Sequence, residues 1–134
     1  MRRGGRPIAV RRTGSFGRVR AEDATSLAMV VSELVQNAVE HGAGSQGGTI
    51  DVDVRRGKDR VKEDLLTVTI TDHGPGLPGG RLPKAKGLGT QIVQSLVADL
   101  RGKITWGAAE PSGTRVRFTA RLRTLPASGS RPVT

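Results

Sequence analysis

The chain has no cysteine among its 134 residues. That excludes a disulfide framework, a thiolate zinc site and a cysteine nucleophile, and it fits a reducing, cytoplasmic setting. Aromatic residues are nearly as scarce: only Phe16, Trp106 and Phe118. Stacking platforms for single-stranded nucleic acid need aromatic faces, so that class is poorly supported. The two histidines, His41 and His73, stand in no ligand-like cluster, which argues against zinc. Neither a Gly-x-Ser-x-Gly elbow nor the GxxxxGK[ST] phosphate loop is present, removing the usual signatures of serine hydrolases and Walker-type nucleotide enzymes. The longest strongly apolar stretch, around Leu27 to Val31, is far too short to span a bilayer. Met1 to Arg6 carries charge with no apolar stretch after it, unlike a secretory signal.

What is present is glycine and positive charge. The formal net charge is +10, from 22 basic and 12 acidic residues. It is spread over the N-terminus, the run Arg55-Arg56-Gly57-Lys58-Asp59-Arg60 and the last strand. Most of it reads as a solvated basic surface. An anionic ligand, an acidic partner or nucleic acid would each suit the balance, the last without a motif to support it.

The length suits one domain with a single core. Residues 1–6 are expected to be flexible, 7–124 to form the domain, and 125–134, rich in Pro, Ser and Gly, to be a disordered tail. Ile8 to Val10 reads as a short strand. A helix is predicted from Glu22 to His41, with acids in its first turn and Gly42 as its stop. Leu27, Val31, Leu34 and Ala38 form its apolar stripe, while Glu33, Asn37 and His41 line another edge. Thr49–Arg55, Leu65–Asp72 and Thr114–Arg123 alternate as half-buried strands, and Lys103–Trp106 adds a short one. A second helix is expected over 88–100, burying Leu88, Ile92, Leu96 and Leu100. The sum is a two-layer α/β sandwich: a mixed, largely antiparallel sheet with helices packed on one face.

Four short segments carry the chemistry. Asp72 continues the core face of Leu66, Val68 and Ile70, and a buried carboxylate is costly unless it has a dedicated partner. It can accept a hydrogen bond from an exocyclic amine such as that of adenine, while Gly74 and Gly76 let backbone approach a flat ring. Its ordinary role would be to cap its own turn. Gly87-Leu88-Gly89-Thr90 opens a helix, whose free N–H groups and dipole can take phosphate. Lys84 and Lys86 lie just upstream, in the loop 77–86. Asn37 offers an oxygen to Mg²⁺, and Glu33, one turn back, a carboxylate able to orient or deprotonate an attacking group. Both could equally be a solvated helix edge. The fourth segment, Gly113-Thr114, is a small turn leading into a strand.

Together these segments resemble the ATP-binding domain shared by sensor histidine kinases, gyrase, Hsp90 and MutL. Glu33 to Asn37 looks like that family's N box. Asp72-His73-Gly74-Pro75-Gly76 looks like its DxGxG box, Gly87-Leu88-Gly89 its second glycine box, and Gly113-Thr114 its late Gly-Thr element. The likeness spans roughly residues 18–123. It is strongest to bacterial sensor kinases that often signal to RNA-binding antiterminator regulators, on Leu34 to Gly42, Gly87 to Val93 and the stretch Phe16 to Thr25. The resemblance implies a Bergerat fold, ATP with Mg²⁺, and γ-phosphoryl transfer to a histidine. Asp72 would bind the adenine amine, with Thr114 assisting through a water. Asn37 would hold Mg²⁺, and Glu33 would position a catalytic group. Gly87, Leu88, Gly89 and Thr90 would sit at the phosphates, with Gly74, Gly76, Leu77, Lys86 and His41 completing the ATP site beneath a lid over 77–86.

The chain also departs from that pattern. Nothing in residues 1–20 supplies the dimerisation helices with their phosphoacceptor histidine. The implied partners are therefore a histidine-containing dimerisation domain, in cis or in trans, and a response regulator downstream; alone, the domain is expected to be monomeric. Glu40 stands where many such kinases carry a lysine, and the lid lacks their phenylalanines. Two alternatives share the pocket: a stand-alone anti-sigma-type serine kinase, usually weaker in the second glycine box, and an ATP-binding regulatory module without phosphotransfer.

Overall fold

The computed structural model describes residues 8–43, 48–58, 64–74, 87–110, 112–123 and 131–132. Strands β3 (Gly48–Lys58), β4 (Asp64–Asp72) and β6 (Thr114–Leu122) form because their apolar side chains recur every second residue. Val52, Val54, Leu66, Val68, Ile70, Val116, Phe118 and Ala120 are all buried. With β1 (Ile8–Thr13) and β5 (Ile104–Ala108) they make one sheet in the order β1-β3-β4-β6-β5. Only β1 and β3 run parallel; the other neighbours are antiparallel. The register sets Ile50 of β3 opposite Asp72, and Thr71 of β4 opposite Arg115. The opposite face is polar, with Thr67, Thr69 and Thr71 only half-buried and Arg115 and Arg117 exposed.

Helix α1 (Ala21–Asn37) is the crossover between β1 and β3. It buries Leu27, Val30 and Leu34, and Ala38 just beyond it. The expected stripe was off by one position at Val31, which lies on its flank, half-buried. Helix α2 (Gly87–Asp99) shows the same correction more strongly. Val93 and Val97, with Leu100 after the helix, are buried, whereas Ile92 is 41 % exposed. A strict four-residue repeat drifts about 40° per step around an α-helix, so a line of leucines four apart winds off the core-facing side. The predicted first helix also ends sooner than expected: after Asn37 the chain widens into a π turn, Ala38–Ala43, packed against β3 and β4. Within the expected tail, Arg131–Pro132 (β7) pair antiparallel with the two-residue strand β2 (Arg18–Val19), a contact that Pro/Ser/Gly-rich composition does not announce.

Two charged groups tie the end of the sheet far from Asp72. Asp23, in the first turn of α1, is buried, and its Oδ2 accepts the backbone N–H of Arg123 at 3.0 Å. Arg123 and Arg101 bring guanidinium nitrogens to 3.7 and 3.8 Å from its Oδ1. Arg56 grips Asp64 with two parallel bonds, Nε to Oδ1 at 2.9 Å and Nη2 to Oδ2 at 2.6 Å. Its Nη1 donates to the Phe16 carbonyl at 2.6 Å, joining the β3–β4 hairpin to the segment before α1. These bonds hold the Asp64 carboxyl below its ordinary value, with burial opposing them. Folding therefore favours the ionised form, and unfolding in acid takes up a proton. The stabilisation is present above about pH 4, the unfolded aspartate value, and is lost as pH falls through the lower folded value. Arg56→Met should lower the melting temperature at neutral pH and flatten its acid decline, read by thermal melts across pH. Equal acid slopes in both proteins would remove Arg56 as the cause.

Candidate functional site

The described parts of the four segments come together in two pairs: Asp72 and Gly74 with Gly113 and Thr114, and Glu33 with Gly89. Asp72 ends β4 and is 3 % exposed, in phase with Leu66, Val68 and Ile70. Its Oδ1 accepts two backbone N–H groups: Gly74 at 3.1 Å and Thr114 at 3.3 Å. The first bond is the turn cap that aspartate before glycine commonly makes. The second joins the start of β6 to the end of β4. Both bonds use Oδ1, so Oδ2 remains the oxygen with which this carboxylate can meet a ligand. Gly113 makes the junction possible. It adopts φ +110°, and a Cβ there would overlap the Asp72 carbonyl oxygen and lie 3.0 Å from the His73 Cα.

On the helical side, Asn37 is the last residue of α1 and half-buried. The π turn that follows carries Glu40, whose carboxylate accepts from the Gln36 amide at 3.2 Å. Glu33, one turn before Asn37, reaches the first turn of α2. A Cβ at Gly89 would sit 2.5 Å from Glu33 Oε2 and 3.0 Å from its Cδ. Glycine is thus what allows the α1 carboxylate to approach the opening of α2. That opening, Gly87-Leu88-Gly89-Thr90, contains no acid of its own, and its first N–H groups, which have no partner within the helix, present positive potential. The arrangement offers an acid for a base amine, a helix N-terminus for phosphate, and an amide with a carboxylate one turn away.

The sequence over residues 22–124 matches the model of the histidine kinase-, DNA gyrase B- and HSP90-like ATPase family. The chain belongs to that family. It is 40% identical over 113 residues to the sensor histidine kinase PdtaS of Mycobacterium tuberculosis, covering 83% of this chain and 22% of that protein. A putative NtrY-like sensor histidine kinase of Rickettsia conorii is 28% identical over 120 residues. The chain therefore spans about a fifth of the length of the curated relatives it matches. Among solved structures, the histidine kinase domain of the Erythrobacter litoralis EL346 blue-light activated histidine kinase superposes with a TM-score of 0.64 at 28% identity, over 84% of this chain and 54% of that one. Within the ATPase family, this is a histidine kinase ATPase domain with the Bergerat fold.

For this ATPase domain the sequence-based site divides into three groups. Glu33, Asn37, Asp72, Gly74, Gly89, Thr90 and Thr114 stand on the elements just described. His41 lies in the π turn, and Gly87 and Leu88 open α2; their side chains lie outside the described residues. Gly76, Leu77, Lys86 and the rest of the expected lid also lie outside them. Among the described residues no group of three His, Asp or Glu side chains could cage a metal ion. The side-chain oxygen of Asn37 is of the donor type that Mg²⁺ takes.

Sequence reasoning overlooked one feature beside the site. His73 Nε2 lies 2.8 Å from Asp51 Oδ2, and Arg11 holds the same carboxylate through Oδ1, Nη2 at 3.2 Å and Nε at 3.3 Å. The bond to His73, the larger cause, and Arg11 hold the Asp51 carboxyl below its ordinary value against the opposing effect of burial. No local signal marks this contact; it follows only from the β3–β4 register.

Proposed function

We propose that this domain binds ATP with Mg²⁺ and delivers the γ-phosphoryl group to a histidine on a dimerisation domain, in cis within a longer kinase or in trans. A response regulator would be the downstream acceptor. The observation that carries the reading is the Asp72 corner. A buried carboxylate has one oxygen fixed by the Gly74 and Thr114 N–H groups, which leaves the other to accept from the exocyclic amine of adenine. Thr114 would assist through a water. Asn37 would hold Mg²⁺, with Glu33 positioning a catalytic group. Gly87, Leu88, Gly89 and Thr90 would receive the phosphates, and Gly76, Leu77, Lys86 and His41 would complete the pocket. The bound Mg²⁺ supplies charge neutralisation on the phosphates. The chain's own contribution is orientation and oriented N–H groups, which suits phosphoryl transfer, where positioning and electrostatics supply most of the catalysis.

The test is calorimetric titration of ATP and of GTP into the purified chain, with and without Mg²⁺. Mg²⁺-assisted binding of ATP in preference to GTP is expected. Asn37→Ala should still bind ATP but lose most of the Mg²⁺ enhancement, about tenfold if one direct oxygen ligand is worth about 1.4 kcal/mol. Undiminished Mg²⁺ dependence would take the ligand role from Asn37. Equal affinity for ATP and GTP, or none for either, would sink the adenine pocket.

A further inference from the structure

We propose that His73 is a positioning residue whose bond to Asp51 holds the turn carrying Asp72 and Gly74 in its nucleotide-accepting shape. The inference rests on the adenine-pocket reading and adds a residue outside it. His73 is the single residue between the Asp72 carboxylate and the Gly74 N–H that bonds to it. Its backbone angles therefore set whether that bond can form. From one side the turn is clamped by Gly113, packed on the His73 Cα and the Asp72 carbonyl. From the other it is clamped by the imidazole, bonded to Asp51 Oδ2 at 2.8 Å. Asp51 is a fixed anchor, since Arg11 on the edge strand β1 bonds its second oxygen. The chain Arg11–Asp51–His73 thus ties two strands to the turn.

The imidazole is met by Asp51 from β3, whose other oxygen is held by Arg11 on β1. Removing the imidazole's bond to Asp51 takes away one of the two clamps on the turn, while any side chain of similar reach that donates to Asp51 keeps it. Nucleotide affinity should therefore depend on a hydrogen-bond donor at position 73.

The experiment is ADP affinity by calorimetry for the parent chain, His73→Gln, His73→Ala and Asp51→Ala, with thermal melts to compare folding. Glutamine keeps a donor for Asp51, whereas alanine at either position removes the bond. The alanine variants should each bind ADP about threefold to tenfold more weakly than the parent, and the glutamine variant should recover most of that loss. An alanine variant at position 73 with parental affinity, or a glutamine variant as weak as alanine, would overturn the proposal while leaving the pocket standing. No ADP binding by any of these proteins would overturn both.

Discussion

Asp72→Asn should cut ATP affinity by about a hundredfold while leaving the melting temperature within a few degrees of the parent. The substitution is close to isosteric, and the geometry separates its two consequences. Oδ1 serves the protein, accepting from Gly74 and Thr114. An asparagine can orient its carbonyl oxygen there and keep both bonds, so the β4–β6 junction survives. The amide nitrogen then replaces Oδ2 and turns an acceptor into a donor. Facing the exocyclic amine of adenine, it leaves two donors opposed in a buried corner, where each unsatisfied group costs about 1–3 kcal/mol. About 2.8 kcal/mol corresponds to a hundredfold. Guanine carries a carbonyl where adenine carries that amine, so the ratio of ATP to GTP affinity should collapse further than ATP affinity alone. Calorimetry with both nucleotides reads the two effects. ATP affinity within about threefold of the parent would show that Asp72 serves only its own turn.

That corner was legible in the sequence because half-buried strands write their orientation at period two. Leu66, Val68 and Ile70 fix the inward face of β4, and Asp72 falls in phase with them as a buried acid. Alternation in β3 and β6 was readable for the same reason. The phase of α2 was not. Ile92, Val93, Leu96 and Val97 offer apolar side chains on several lines, and packing against β6 and α1 selects Val93 and Val97. The π turn after Asn37 has no local signature either, as it arises where the helix end meets β3 and β4. The parallel pairing of β1 with β3 left little trace, because β1 is exposed along nearly its whole length. Within the site, the residues proposed to bind were visible as motifs, whereas the contact between Asp51 and His73 was not. Asp51 reads as one more outward acid on β3 until the register brings it to His73.

Gly113, visible in the sequence as half of the Gly-Thr motif, also holds the Asp72 corner in place, and Gly113→Ala should be the most damaging single methyl group in the site. The position combines two demands that alanine meets poorly. Its φ of +110° is a conformation that residues with a Cβ rarely adopt, at a cost of order 1–3 kcal/mol. The added Cβ would also overlap the Asp72 carbonyl oxygen, and forcing a methyl into closed packing costs about another 1–3 kcal/mol. Relief can come only by moving β6 away from the end of β4, since the atoms it meets are backbone. That motion stretches the Thr114 N–H bond to Asp72 Oδ1, already 3.3 Å, and releases the carboxylate from its fixed orientation. Stability and binding should therefore fall together: about 3 kcal/mol and at least about 10 °C in melting temperature for a domain of this size, with ATP affinity reduced at temperatures where the variant is still folded. Asp72→Asn should instead lose binding with little loss of stability, so the pair separates the ligand's contact from the backbone that presents it. A Gly113→Ala protein that melts and binds like the parent would mean that the β4–β6 junction yields without cost, and that the orientation of Asp72 is set elsewhere.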